Sequence, residues 1–304
     1  MFKGSIVAIV TPLKPNGSLD KSTFKRLLNW HLIQGTHGVV VNGTTGESST
    51  LTQAERYQLL EIAVEICSKH IPVIAGTGTS STHSTLEETQ LAEKIGVSGA
   101  LLVTPYYNRP TQNGLLEHYK TVAEASNLPL ILYNVPNRTA CDLLPDTVGK
   151  LSKISTIIGI KEATGDISRV QQLIEHCGDQ FLLFSGDDKS ALAFLKAGGH
   201  GIISVTANVV PNAMAKLCEL SKINPDSAKM LHSKLSSLHQ ALMVESNPIP
   251  IKWLLHKMGR IKKGIRLPLT ELSTKHHLLL QAAFTTAQTN QSLNKKSCNT
   301  MVKT

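Results

Sequence analysis

No apolar run in the 304 residues approaches the 18 needed to cross a bilayer, which excludes a membrane-spanning helix. The run near the N-terminus, residues 6–10, is too short for the core of a secretory leader, so a cytoplasmic protein is expected. Cysteine is sparse and unpaired. Cys67, Cys141, Cys177, Cys218 and Cys298 form no Cys-x-x-Cys pair, so neither a disulfide framework nor a thiolate zinc site is expected, only reduced and mostly buried thiols. Aromatic residues are 4% and charged residues 17% of the chain, against 41% hydrophobic, a balance that excludes general disorder and permits a large core.

Acidic residues are missing from one region. Residues 252–304 hold ten of the 31 Lys and Arg but only Glu271 of the 22 Asp and Glu, so the whole net charge of +9 is C-terminal. A solvated basic helix face with a charged tail is expected there rather than nucleic-acid binding.

What is present is an alternation. Short β-branched runs at 5–10, 38–41, 73–76, 100–103, 130–134, 157–161, 181–185 and 201–205 are separated by amphipathic helical patterns such as 20–34, 52–69 and 115–126. The second of these opens on a Thr52-x-x-Glu55 capping box. Strands joined by helix-length crossovers are parallel, and eight such units close most naturally into an α/β (β/α)8 barrel, the TIM-barrel fold, with a doubly wound open sheet as the alternative. The barrel domain is expected over 1–224, a C-terminal helical extension with helices at 228–257 and 270–288 over 225–288, and a disordered basic tail over 289–304.

Barrel chemistry sits at the C-terminal strand ends. Lys161 closes the apolar strand Ile157-Ile158-Gly159-Ile160-Lys161, where period two puts it on one face with Gly159. Desolvation disfavours an ammonium there, and the free amine is the form that attacks a carbonyl. Gly159 is expected to leave room for a covalently held substrate. The alternative is an ion pair of Lys161 with Glu162 or Asp166. A Schiff-base enzyme also needs a proton carrier and anchors for carboxylates. Tyr133 supplies the first, Thr44 links it to Tyr107, the amides of the Gly43–Gly46 turn hold a keto acid's carboxylate, and Arg138 forks onto a second one. Singly, the tyrosines also read as packed aromatics and Arg138 as a surface charge.

Gly76-Thr77-Gly78 lacks the third glycine and the acidic residue of a dinucleotide site, so no NAD is expected. Asp187 and Asp188 have no accompanying histidines at the rim and read as helix caps rather than metal ligands. No cofactor and no metal are expected.

Three motifs, Gly43-Thr44-Thr45-Gly46-Glu47, Tyr133-Asn134-Val135-Pro136-Asn137-Arg138-Thr139 and Ile158-Gly159-Ile160-Lys161-Glu162-Ala163, resemble the dihydrodipicolinate synthase family. The resemblance runs from about Gly4 to about Leu280 and takes in Ser185-Gly186-Asp187-Asp188 and Asn247-Pro248-Ile249-Pro250-Ile251-Lys252. It implies condensation of pyruvate, as a Schiff base on Lys161, with L-aspartate 4-semialdehyde, on the route to diaminopimelate and lysine. It further implies that Thr45 holds the pyruvate carboxylate and that Tyr133, Thr44 and Tyr107 relay protons. The resemblance likewise implies that Arg138 binds the second carboxylate, that backbone groups at Gly186 and Ile203 complete the pocket, and that Tyr107 completes a neighbouring subunit's site in a homotetramer built as a dimer of dimers.

The same superfamily contains N-acetylneuraminate lyase and keto-deoxy sugar-acid aldolases, which generally lack an arginine at the place of Arg138. A non-catalytic barrel requires a damaged site, and here every residue type is in place. Lysine-inhibited relatives bind lysine near the positions of Ser48, Ser49, Gln53, Arg56, Ser80, Ser84 and Tyr106. Here Arg56 is expected to repel a cation and Ser84 offers no carboxylate, so weak feedback by lysine is expected.

Overall fold

A computed structural model describes residues 2–298, with side chains through residue 288. Eight parallel strands, β1 Gly4–Ala8, β2 Gly38–Val41, β3 Val73–Gly76, β4 Gly99–Val103, β5 Leu130–Asn134, β6 Ile157–Glu162, β7 Leu182–Ser185 and β8 Gly201–Ser204, follow one another in order. The sheet closes where Gly4 to Val7 pair with Gly201 to Ser204, so the barrel expected from the alternation is the one observed. β1 ends earlier than its apolar run because the ladder with β2 stops at Ile9 and the next amide, that of Val10, turns to a side chain. Ile9 N donates to Val40 O and Val10 N to the Asn208 side chain.

The strands are nearly continuous hydrophobic runs because both of their faces are covered. Ile6, Val40, Ile74, Leu101, Ile131, Phe184 and Ile203 fill the barrel interior, while alternate residues such as Val39, Val73, Leu102, Leu132 and Ile160 face the helical layer. That layer begins with α1 Lys21–Ile33, α2 Gln53–Cys67, α3 Thr82–Ile95 and α4 Gln112–Glu124. Their N-termini are capped by Asp20, Thr52, Ser81 and Thr111, and the Thr52–Glu55 capping box forms in both directions. It continues with the short α5 Pro136–Thr139, then α6 Pro145–Leu151, α7 Ser168–Cys177, α8 Ala191–Lys196 and α9 Pro211–Ile223.

Beyond α9 the extension comprises α10 Pro225–Ala241, α11 Ile249–Lys257 and α12 His277–Cys298. The single helix expected over 228–257 is therefore two. Pro248 and Pro250 lack the amide hydrogens an interior helical turn needs, and the second is tolerated only in the first turn of α11. The helix expected from residue 270 begins at His277, since the preceding segment is held in place by Glu245, which accepts from Ser273 N. α12 runs past the expected end at residue 288 to Cys298. The remainder of the expected tail, 299–304, lies outside the described residues.

Cys67, Cys141 and Cys218 are buried and Cys177 is half-buried, all free. Burial pushes the Cys67 and Cys218 thiols up to about 12. The C-terminal cations are less of a free patch than the sequence implies. Arg260 stacks over Trp30, Arg266 pairs with Glu55, and Lys252 is buried against Glu47. Among the described residues no helix is long and apolar enough to cross a membrane.

Candidate active site

β5 and β6 bring the central pair together. Tyr133 and Lys161 are register partners on the inward face, and Lys161 Nζ lies 4.1 Å from the centroid of the Tyr133 ring. Lys161 is 6% exposed and makes no hydrogen bond or ion pair within the described residues. The alternative pairing fails because its partners are engaged elsewhere. Glu162 accepts from Asn134 Nδ2 at 3.0 Å and Thr164 N at 2.7 Å, and Asp166 accepts from Ser168 N and Oγ. A buried amine without a counter-ion, beside a phenol at the barrel mouth, has the composition of a carbonyl-condensing site.

The room for Lys161 comes from a different glycine than expected. A Cβ on Gly159 would stand 2.4 Å from Leu182 O, so this residue is glycine to let β7 approach β6, which corrects its expected role beside the substrate. A Cβ on Gly186 would stand 2.9 Å from Lys161 Cε and 2.6 Å from Ala163 Cβ, so Gly186 clears the space that the lysine occupies. Its amide is committed to Glu162 O at 2.7 Å, leaving its carbonyl for a ligand. Ile203, on β8, packs into the interior core.

The turn after β2 is two short 3-10 segments, Thr44–Gly46 and Ser48–Thr50, hinged at Glu47 with φ 55°. The amides of Gly46 and Glu47 close the turn on Gly43 O and Thr44 O, so they are committed to the fold. Those of Thr44 and Thr45 stand at its N-terminal end, where helical N–H groups have no internal partner. Thr45 is buried, and its Oγ1 accepts from Asn247 Nδ2 at 2.9 Å, which leaves the hydroxyl hydrogen to donate. Thr44 is exposed, and no hydrogen bond joins it to Tyr133 or Tyr107 among the described residues. Tyr107 is 94% exposed at φ 76°. Arg138, on α5, is exposed and donates to Asn247 O at 3.4 Å. Among the described residues all five non-glycine residues with left-handed φ, Asn42, Glu47, Tyr107, Arg109 and Ala140, lie in the loops after β2, β4 and β5, the kind of strain that gathers at functional rims.

Asp187 and Asp188 hold loops together rather than capping the following helix as expected, since α8 opens on Ser190 without a side-chain cap. Asp187 accepts from Ser190 N and Oγ, and Asp188 from Val205 N and Thr206 N. Among the described residues no cluster of three or more His, Cys, Asp or Glu is arranged to hold a metal.

A profile of the Dihydrodipicolinate synthetase family matches residues 1–287. The chain belongs to that family. It is 53% identical over 278 residues to the 4-hydroxy-tetrahydrodipicolinate synthase of Coxiella burnetii, covering 91% of this chain and 95% of the relative. The chloride-inhibited dihydrodipicolinate synthase of Acinetobacter baumannii complexed with pyruvate superposes with a TM-score of 0.93 at 48% identity, over 95% of this chain and 99% of that one. The enzyme of Cyanidioschyzon merolae with lysine bound superposes with a TM-score of 0.92 at 34% identity, over 94% and 98%.

Within this synthetase fold, the residues that grip the turn from behind carry no local signal of that role in the sequence. Asn247 and Lys252 stand in a motif that enters only as part of the resemblance. Lys252, 4% exposed in the apolar segment Ile249-Pro250-Ile251-Lys252-Trp253-Leu254, carries the same signal that singles out Lys161, a lysine where apolar residues belong. Burial pushes its ammonium below the ordinary lysine value, and the facing Glu47 carboxylate pulls it back. Arg56 also differs from expectation. It is no free cation, since its Nη2 lies 2.6 Å from Glu88 Oε1 and its Nη1 donates to Leu51 O.

Proposed function

We propose that this chain is a 4-hydroxy-tetrahydrodipicolinate synthase, a lyase that joins pyruvate to L-aspartate 4-semialdehyde in diaminopimelate and lysine biosynthesis. The observation that carries the reading is Lys161, buried inside the barrel without a counter-ion and 4.1 Å from the Tyr133 ring. Its amine attacks the pyruvate keto carbon and water leaves, forming an imine. Loss of a methyl proton gives the enamine, which attacks the aldehyde carbon of the second substrate. Tyr133 carries protons at the amine.

The Thr45 hydroxyl and the amides of Thr44 and Thr45 take the pyruvate carboxylate. Arg138 takes the carboxylate of the semialdehyde, and this cation favours the synthase over an N-acetylneuraminate lyase or a sugar-acid aldolase, whose second substrates present hydroxyls. Backbone groups at Gly186 and Ile203 line the pocket, and Thr44 links Tyr133 to Tyr107. That link crosses a subunit boundary. Tyr107, exposed and held at a left-handed φ, serves a neighbouring copy, and the working form is a cytoplasmic homotetramer built as a dimer of dimers. The imine itself serves as the electron sink, so the chemistry calls for no cofactor.

The test is steady-state turnover with each substrate pair. Product formed from pyruvate and L-aspartate 4-semialdehyde, with no cleavage of N-acetylneuraminate, supports the reading; the reverse pattern overturns it.

A further inference from the structure

The C-terminal extension reaches the turn after β2 through one buried ion pair. Lys252 of α11 binds Glu47 Oε1, with the two side chains 4% and 0% exposed. Glu47 Oε2 accepts from Arg266 N at 3.1 Å, so both carboxylate oxygens are spent inside the protein. The Arg266 guanidinium in turn donates to Thr50 O at 2.7 Å, to Gly17 O at 2.9 and 2.7 Å, and to both oxygens of Glu55 at 2.7 and 2.6 Å. Five residues before Lys252, Asn247 donates to the Thr45 hydroxyl. One face of the turn is thus gripped at Thr45, Glu47 and Thr50 by a segment some 200 residues away.

Stability alone does not account for this arrangement. Two charges lose their water when they are buried together, and an apolar pair of similar volume fills such a space at no electrostatic cost. The backbone at Glu47 is left-handed, a conformation that favours glycine, yet the position carries a glutamate whose carboxylate is fully engaged. What the pair fixes is the angle between the two 3-10 segments, and Thr44 and Thr45 lie in the first of them.

We infer that Glu47 and Lys252 are positioning residues for the keto acid. Their ion pair, locked by Arg266, holds the Thr44–Thr45 turn where its hydroxyl and amides meet the pyruvate carboxylate, so the C-terminal extension sets pyruvate affinity. This rests on the proposed role of Thr45. Neither residue touches substrate; they act through the turn.

The test is borohydride trapping of the pyruvate adduct as a function of pyruvate concentration, in wild type, Glu47→Gln, Lys252→Met, the double variant Glu47→Gln/Lys252→Met, and Thr45→Val. A purely structural role lowers the plateau of trapped protein without moving the half-saturating concentration, because only the folded fraction changes. The inference predicts a full plateau and a half-saturation raised by about tenfold in Glu47→Gln and Lys252→Met, in line with the cost of small misplacements of binding groups. Should Lys252→Met fail to fold because it leaves Glu47 charged and buried, the double variant carries no unpaired charge and gives the same reading. Unchanged half-saturation in the pair variants, with a raised value in Thr45→Val, overturns the inference and leaves the role of Thr45 standing. An unchanged value in Thr45→Val overturns the role of Thr45 and the inference with it.

Discussion

Tyr133 and Lys161 occupy paired positions on adjacent strands, and the lysine nitrogen sits 4.1 Å from the centre of the tyrosine ring. Period-two alternation sends both side chains into the barrel. The next residues in register, Asn134 and Glu162, turn outward and join each other through a 3.0 Å hydrogen bond. Arg169 and Asp142 tie that outer pair down, with Asn134 Nδ2 also donating to Asp142 at 2.8 Å. The inner pair is thereby held by a polar clamp on the opposite face of the same two strands.

Tyr133→Phe keeps the ring against Lys161 and removes only the hydroxyl. Turnover should fall by about 10² to 10⁴, the usual contribution of a proton carrier, while the melting temperature stays near that of wild type. A kcat within a few-fold of wild type would remove Tyr133 from the chemistry.

Gly186→Ala forces a methyl to within 2.9 Å of Lys161 Cε and 2.6 Å of Ala163 Cβ. Denaturant melts should report a loss of about 1–3 kcal/mol, the usual cost of overpacking. Turnover should fall further than folding accounts for, because the methyl displaces the lysine itself. The corresponding change at Gly159 meets the β7 backbone and should act on stability first.

The barrel and its central lysine are legible in the amino-acid sequence. Strands covered on both faces leave continuous apolar runs, and Lys161 stands out because a charge interrupts one of them. Contacts between distant residues are not legible. The Lys252–Glu47 bond joins positions 205 apart, and nothing in either local pattern names the other. Gly159 illustrates a related limit, since a sequence reveals a missing Cβ but not which neighbour fills its place. The break in the helix expected over 228–257 is in principle readable from Pro248 and Pro250, whose effect on an interior turn is local.

His118 is buried against Thr82 Oγ1 at 2.9 Å, and burial lowers its pKa from 6.5 to about 4. The folded value lies below the unfolded one, so the unfolded chain binds the extra proton in the interval between them. The contribution to stability is therefore complete above pH 6.5 and lost as pH falls toward 4, amounting to about 3 kcal/mol. His31, lowered to about 3 by burial, adds to the same trend. Glu55, held down to about 2 by Arg266, acts below its ordinary value of 4.5, in a more acidic window. His118→Gln should flatten the stability profile between pH 6.5 and 4.5 measured by denaturant melts; an unaltered slope contradicts the assignment.

Lysine should inhibit weakly. Glu88, the carboxylate best placed to meet an ammonium near Gln53 and Arg56, is already held by Arg56 at 2.6 Å and by Gln53 at 3.4 Å. A ligand has to break that bidentate pair before it gains a counter-ion. Initial rates should be insensitive to submillimolar lysine, and strong inhibition in that range would show that the pair opens readily.

The most direct test of the account is to trap the pyruvate adduct with borohydride and map it by peptide mass spectrometry, in wild type and in Lys161→Ala. One adduct is expected, on the peptide containing Lys161, and the substitution abolishes it. No adduct, or one that persists on another lysine in Lys161→Ala, would contradict a Schiff base at the barrel mouth.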